Sequence, residues 1–88
     1  MSDAPWRVEL ARTAQRDLRR LDPQVRRRVE RGLRDLAAGE AGAGERKLKG
    51  SEEWRLRVGD WRVRFERDAE ARTIFVVRIL PRGRAYER

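Results

Sequence analysis

Four arginines stand at alternating positions around a Gly-Asp pair: Arg55 and Arg57 before Gly59-Asp60, Arg62 and Arg64 after it. Trp54, Leu56 and Val58, then Trp61, Val63 and Phe65, fill the positions between. A period of two belongs to strands, and a two-residue Gly-Asp connection suits a type I′ or II′ hairpin turn. In that register Val58 faces Trp61, Arg57 faces Arg62, Leu56 faces Val63 and Arg55 faces Arg64. One face of the hairpin is then apolar and the other carries four arginines. Like charges directly opposite one another destabilise a sheet by roughly several tenths of a kcal/mol per pair. Two such pairs point to a polyanionic ligand, because guanidinium groups bind phosphate oxygens bidentately and stay charged at physiological pH. The opposing reading is a solvated face neutralised by Glu66, Glu87 or loop acids.

What the chain lacks narrows the chemistry. There is no histidine and no cysteine among the 88 residues. Disulfides and thiolate zinc sites are excluded, and so is the commonest acid/base side chain at neutral pH. No cluster of carboxylates suggests a metal site, and no cofactor motif is present. The net charge is +8. It divides unevenly: residues 1–44 carry ten basic against seven acidic side chains, and residues 45–88 carry thirteen against eight. Nucleic acid or an acidic protein segment fits this balance as a partner. No stretch is long and apolar enough for a signal peptide or a membrane span, so a cytoplasmic protein with no membrane partner is expected. The length suits one domain over residues 1–88.

The elements that must position the arginines can be read from the changes of period. Trp6-Arg7-Val8-Glu9-Leu10 alternates as a first strand. Ala11, Ala14, Leu18 and Leu21 then recur at helical spacing. Asp22-Pro23 starts a second helix, with the aspartate as N-cap and proline in the first turn. Its apolar stripe is Val25, Val29, Leu33 and Leu36. Arg26, Arg27, Arg28 and Arg31 read as a solvated surface of that helix, with auxiliary RNA or ribosome contact as the minority reading. Gly39 ends the helix and a glycine-rich loop runs to Gly44. After the arginine hairpin, Thr73–Leu80 is an almost continuous apolar run, expected of a central strand covered on much of both faces. The three tryptophans read as core. The fold class is α+β, in the order β-α-α-β-β-β, with an antiparallel helix hairpin packed on one face of a small antiparallel sheet.

Several of these pieces, in this order, resemble the RelE/ParE toxin superfamily of type II toxin–antitoxin systems. The resemblance rests on Lys47-Leu48-Lys49-Gly50, on Trp54-Arg55-Leu56-Arg57-Val58-Gly59-Asp60-Trp61-Arg62-Val63, on Val77-Arg78-Ile79-Leu80-Pro81-Arg82, and on Tyr86. The segment around Ala14, Asp17, Leu18 and Asp22-Pro23 also fits, so nearly the whole chain is covered. The family implies a toxin restrained by an acidic antitoxin. RelE-like members cut messenger RNA, usually on the ribosome, whereas ParE-like members poison DNA gyrase. By resemblance Arg55, Arg57, Arg62, Arg82 and Tyr86 match the catalytic pattern of the nucleases, and Lys47, Lys49, Arg64 and Arg84 are assigned to RNA contact. Pro81 departs from the pattern, since many relatives carry histidine there.

The implied reaction is attack of an RNA 2′-hydroxyl on the adjacent phosphate, giving a 2′,3′-cyclic phosphate and a free 5′-hydroxyl. Arg55, Arg57 and Arg62 would stabilise charge on the phosphoryl oxygens, and Arg82 the leaving oxygen. Tyr86 would orient or stack on a nucleotide. Arginine cannot act as base at neutral pH, which leaves Lys47, Lys49, Glu45 and Glu66 open for that role. The alternatives are a ParE-like gyrase inhibitor without nuclease activity and a catalytically dead binding module.

Overall fold

The computed structural model describes residues 5–39, residues 45–47 as backbone, and residues 53–81. The elements are β1 (Arg7–Leu10), α1 (Arg12–Arg20), α2 (Pro23–Ala37), β2 (Glu45–Lys47), β3 (Glu53–Val58), β4 (Trp61–Asp68) and β5 (Thr73–Pro81). The strands form one sheet in the spatial order β1-β5-β4-β3-β2. The α+β class holds. Two features of the expected sheet are corrected: β1 runs parallel to β5, so the sheet is mixed, and β2 is an additional edge strand. Alternation of side chains records which face a strand buries and carries no information about its direction. That is why a reading of periods missed the parallel pair.

The helices begin and end where local chemistry dictates. The Asp22 carboxylate accepts from the Gln24 backbone N–H at 3.1 Å, with Pro23 at the start of the helix. Gly39, at φ 75°, follows the last turn of α2 in the left-handed region open to glycine. Val29, Leu33, Leu36 and Ala37 of α2 are buried with Ala14 and Leu21 against Leu56, Val63, Phe65, Ile74, Val76 and Ile79 of the sheet. Trp6, Trp54 and Trp61 are partly buried against this core, which agrees with their reading as core residues. Gly32 lets α2 approach β3 closely: a Cβ there would stand 3.1 Å from Val58 Cγ2.

The apolar run of β5 has a different cause from the one expected. The strand is central, but Phe75 on its far face is 39% exposed. Arg64 pairs with Arg78 and Phe65 with Val76, so Val77 is an extra residue and marks a bulge. Before the bulge Ile74 and Val76 face the core; after it Ile79 does. One buried face therefore draws apolar residues from both parities, while Val77 and Leu80 are half-buried outside it, and the run looks continuous in sequence.

Beyond the bulge, α1 takes over the edge of β5 that β1 leaves open. Pairing with β1 ends at Leu10–Val76. The Ala11 N–H then donates to Val76 O at 2.9 Å, and Thr13 Oγ1 donates to Val77 O at 2.8 Å. Asp17 Oδ2 accepts from the Ile79 N–H at 2.9 Å and from Arg78 Nε at 2.8 Å. One half-buried carboxylate thus satisfies a backbone donor that no strand reaches, and pins α1 to the sheet. Asp17→Ala is expected to lower unfolding free energy by about 1–3 kcal/mol, the cost of leaving such a donor without a partner. Urea titration followed by tryptophan fluorescence measures it, and an unchanged midpoint would contradict the role assigned to Asp17.

Candidate nucleic-acid interface

The hairpin turn decides which way the arginines stand. Gly59 has φ 57°, and Asp60 is not in the left-handed region, which is the type II′ pattern. The resulting register pairs Val58 with Trp61, Arg57 with Arg62, Leu56 with Val63 and Arg55 with Arg64. The arginine face predicted from the sequence is therefore present, on the side of the sheet away from the helices. It extends further than the hairpin. Arg46 of β2 pairs with Arg55, and Arg64 pairs with Arg78 of β5. Arg46, Arg55, Arg64 and Arg78 occupy one register line across four adjacent strands. Sequence reasoning missed Arg46 and Arg78 because β2 was not expected and the bulge hides the pairing of β5.

The side chains differ in how their charge is held. Arg57 is exposed, and among the described residues it forms no ion pair or side-chain hydrogen bond. Arg55 and Arg64 are half-buried. Arg62 is only 6% exposed, and its Nη1 donates to Trp61 O at 3.2 Å and Gly59 O at 3.4 Å. Its guanidinium thus braces the turn that sets the register. Arg64 is held by Glu53, with Nε and Nη2 at 2.9 and 2.7 Å from Oε1. Among the described residues Glu53 is thus an acid that neutralises part of this face; Glu87, which the sequence also suggests, lies outside them. At the end of the long row, the hydrogen bond that Arg78 donates to the Asp17 carboxylate raises the pKa of Arg78, partly offset by desolvation. A raised arginine pKa adds stability that is lost only as pH climbs through that raised value, far above neutrality. This cation is constant across the working range.

Not every candidate joins the arginine face. Lys47 pairs with Trp54 and Glu45 with Leu56, so their register positions belong to the apolar rows. Glu66 does share the arginine face, one row beyond Arg64. There Glu53, Glu66, Phe75 and Glu9 stand in register across β3, β4, β5 and β1. The open face thus has a charge boundary, with arginines towards the Gly59 turn and carboxylates towards the Asp68–Arg72 turn. Lys49, Arg82, Arg84 and Tyr86 lie outside the described residues. Among the described residues no group of three or more His, Asp or Glu could hold a metal ion. A cationic row of this kind can grip phosphates and stabilise charge on a phosphoryl group.

The sequence model for the ParE toxin of type II toxin–antitoxin systems matches residues 8–86. The chain belongs to the RelE/ParE toxin superfamily. Its fold is similar to a chain of the RelBE2 toxin–antitoxin complex from Mycobacterium tuberculosis, with TM-score 0.73, 25% identity, and 90% of this chain and 100% of that one covered. It is also similar to a chain of the RelE–RelB complex from Pyrococcus horikoshii, with TM-score 0.75, 26% identity, and 92% and 99% covered. The isolated Escherichia coli RelE toxin matches with TM-score 0.71, 19% identity, and 86% and 83% covered. That last likeness shows the fold alone. No curated protein matches the chain. The toxin has no helix among its described residues long and apolar enough to cross a membrane.

Glu53→Gln should free the Arg64 guanidinium. Affinity for a short single-stranded RNA is expected to rise, and the slope of log K against log salt to steepen by about 0.7 for one added phosphate contact. Fluorescence anisotropy over a salt series tests this; a slope equal to that of the unaltered protein would show that Arg64 does not meet the strand.

Proposed function

We propose that this toxin is a ribosome-dependent endoribonuclease that cleaves messenger RNA, acts in the cytoplasm as a single domain, and is held inactive by a cognate acidic antitoxin. The observation that carries the reading is the set of arginines in register on the sheet face away from the helices, with Arg57 exposed on it. The antitoxin rests on the family and on the RelE–RelB complexes that the fold resembles.

In the proposed reaction the 2′-hydroxyl loses its proton to a base and its oxygen attacks phosphorus. The bond from phosphorus to the 5′-oxygen breaks, and that oxygen takes a proton from water. Arg55, Arg57 and Arg62 stabilise the charge that gathers on the non-bridging oxygens. Arg82 stabilises the leaving oxygen, and Tyr86 orients a nucleotide. Lys47, Lys49, Arg64 and Arg84 hold the strand. Glu66 is favoured as base: of Glu45, Lys47 and Glu66, it is the one in register with the arginine face. With no histidine to move protons, the chain depends on the ribosome to position the 2′-hydroxyl, and free RNA is cut slowly or not at all.

A second reading has its own support. The family model that matches is that of ParE toxins, and a ParE-like chain would inhibit gyrase without cutting RNA. Primer extension on messenger RNA after brief expression separates the two. Discrete cuts are expected, and Arg57→Gln should reduce single-turnover cleavage on ribosomes about a hundredfold, the usual effect of removing one transition-state donor. Glu66→Gln should lower it by at least about a hundredfold as well. Intact messages together with inhibited supercoiling by purified gyrase would replace the nuclease reading with the gyrase one.

A further inference from the structure

The outer side of α2 carries a second cationic surface, on the opposite side of the molecule from the open sheet face. Val29, Leu33 and Leu36 bury one side of this helix. Gln24, Arg27, Arg31 and Arg34 recur at intervals of three and four on the other, and with Glu30 they line a shallow groove; Arg28 forms its rim, with its guanidinium reaching towards Gly59 at the β3–β4 turn. The four arginines are exposed. Among the described residues none of them forms an ion pair or a side-chain hydrogen bond. On the sheet face, by contrast, Glu53 holds Arg64 and Asp17 holds Arg78. Among the described residues, then, the α2 arginines share with Arg57 of the sheet the absence of an acidic partner.

We propose that this groove is a docking site for the phosphate backbone of a duplex nucleic acid, distinct from the arginine face. Its composition favours that occupant. The large apolar side chain that stands exposed among the described residues is Phe75, on the sheet and not on α2. A membrane surface or a folding antitoxin segment would need apolar anchors that α2 does not present. A backbone-binding surface needs none. Arg27 to Arg34 span about 10 Å of helix axis at about 1.5 Å per residue. A duplex strand advances about 3.4 Å per phosphate in B-form, so three to four phosphates fall within reach. Such binding would be independent of sequence and steeply dependent on salt. It does not depend on whether the sheet face cuts RNA.

The test is fluorescence anisotropy of the full chain with labelled 20-base-pair duplexes of RNA and of DNA, over a series of potassium chloride concentrations. The combined variant Arg27→Gln, Arg31→Gln, Arg34→Gln should weaken duplex binding about tenfold or more and flatten the salt slope by about 3. Comparing the two duplexes identifies which nucleic acid is preferred. A variant with equal charge loss on α1, Arg12→Gln, Arg16→Gln, Arg19→Gln, should lose distinctly less. Circular dichroism melting confirms that both variants fold. An unaltered slope in the α2 variant, equal losses in the two variants, or preferential binding of anionic vesicles or an acidic peptide would each overturn the proposal.

Discussion

Side-chain parity in the β3–β4 hairpin is the constraint on which the rest of this molecule depends. A strand shifted by one residue exchanges its two faces completely. With the two-residue turn at Gly59-Asp60, Leu56, Val63 and Phe65 reach the helices and are fully buried, while Arg55, Arg57, Arg62 and Arg64 share the other side. A one-residue slip would bury four guanidinium groups, at several kcal/mol or more per uncompensated charge. The core thus enforces the clustering of the arginines, and repulsion between them is a modest tax set against that burial. Arg62 reinforces the arrangement by donating to carbonyls at the turn itself.

The second device is the bulge at Val77 with Asp17 beside it. β5 must satisfy two neighbours of different length: β4 along its whole extent and β1 only as far as Val76. The bulge changes the parity of β5, and α1 replaces β1 as its edge partner through Ala11, Thr13 and Asp17. This also removes Arg78 from the set of available cations, since its guanidinium is committed to Asp17. Of the other three arginines in the long row, Arg64 is held by an acid as well. Glu53 on Arg64 and the carboxylate row of Glu53, Glu66 and Glu9 limit the cationic area to one half of the sheet. A strand of RNA lying across the face would meet attraction near the Gly59 turn and repulsion towards the Asp68 turn.

Local pattern was enough to establish α1, α2 with its Asp22 cap, the hairpin pairing and the two-faced distribution of arginine and apolar residues. Each of these is decided within about ten residues by a period, a cap or a turn, and so is written in the chain directly. The family was legible for a related reason: its signature segments fall on that same hairpin and on the strand after the bulge. Three other features were decided only by tertiary structure. The parallel pairing of β1 with β5 joins residues more than sixty positions apart. The bulge brings apolar residues of both parities, Ile74, Val76 and Ile79, to one buried face. The capture of Ile79 and Arg78 by Asp17 reflects where α1 ends up relative to the sheet edge. Strand direction, bulges and long-range ion pairs depend on which elements become neighbours, and side-chain alternation along one segment holds no record of that.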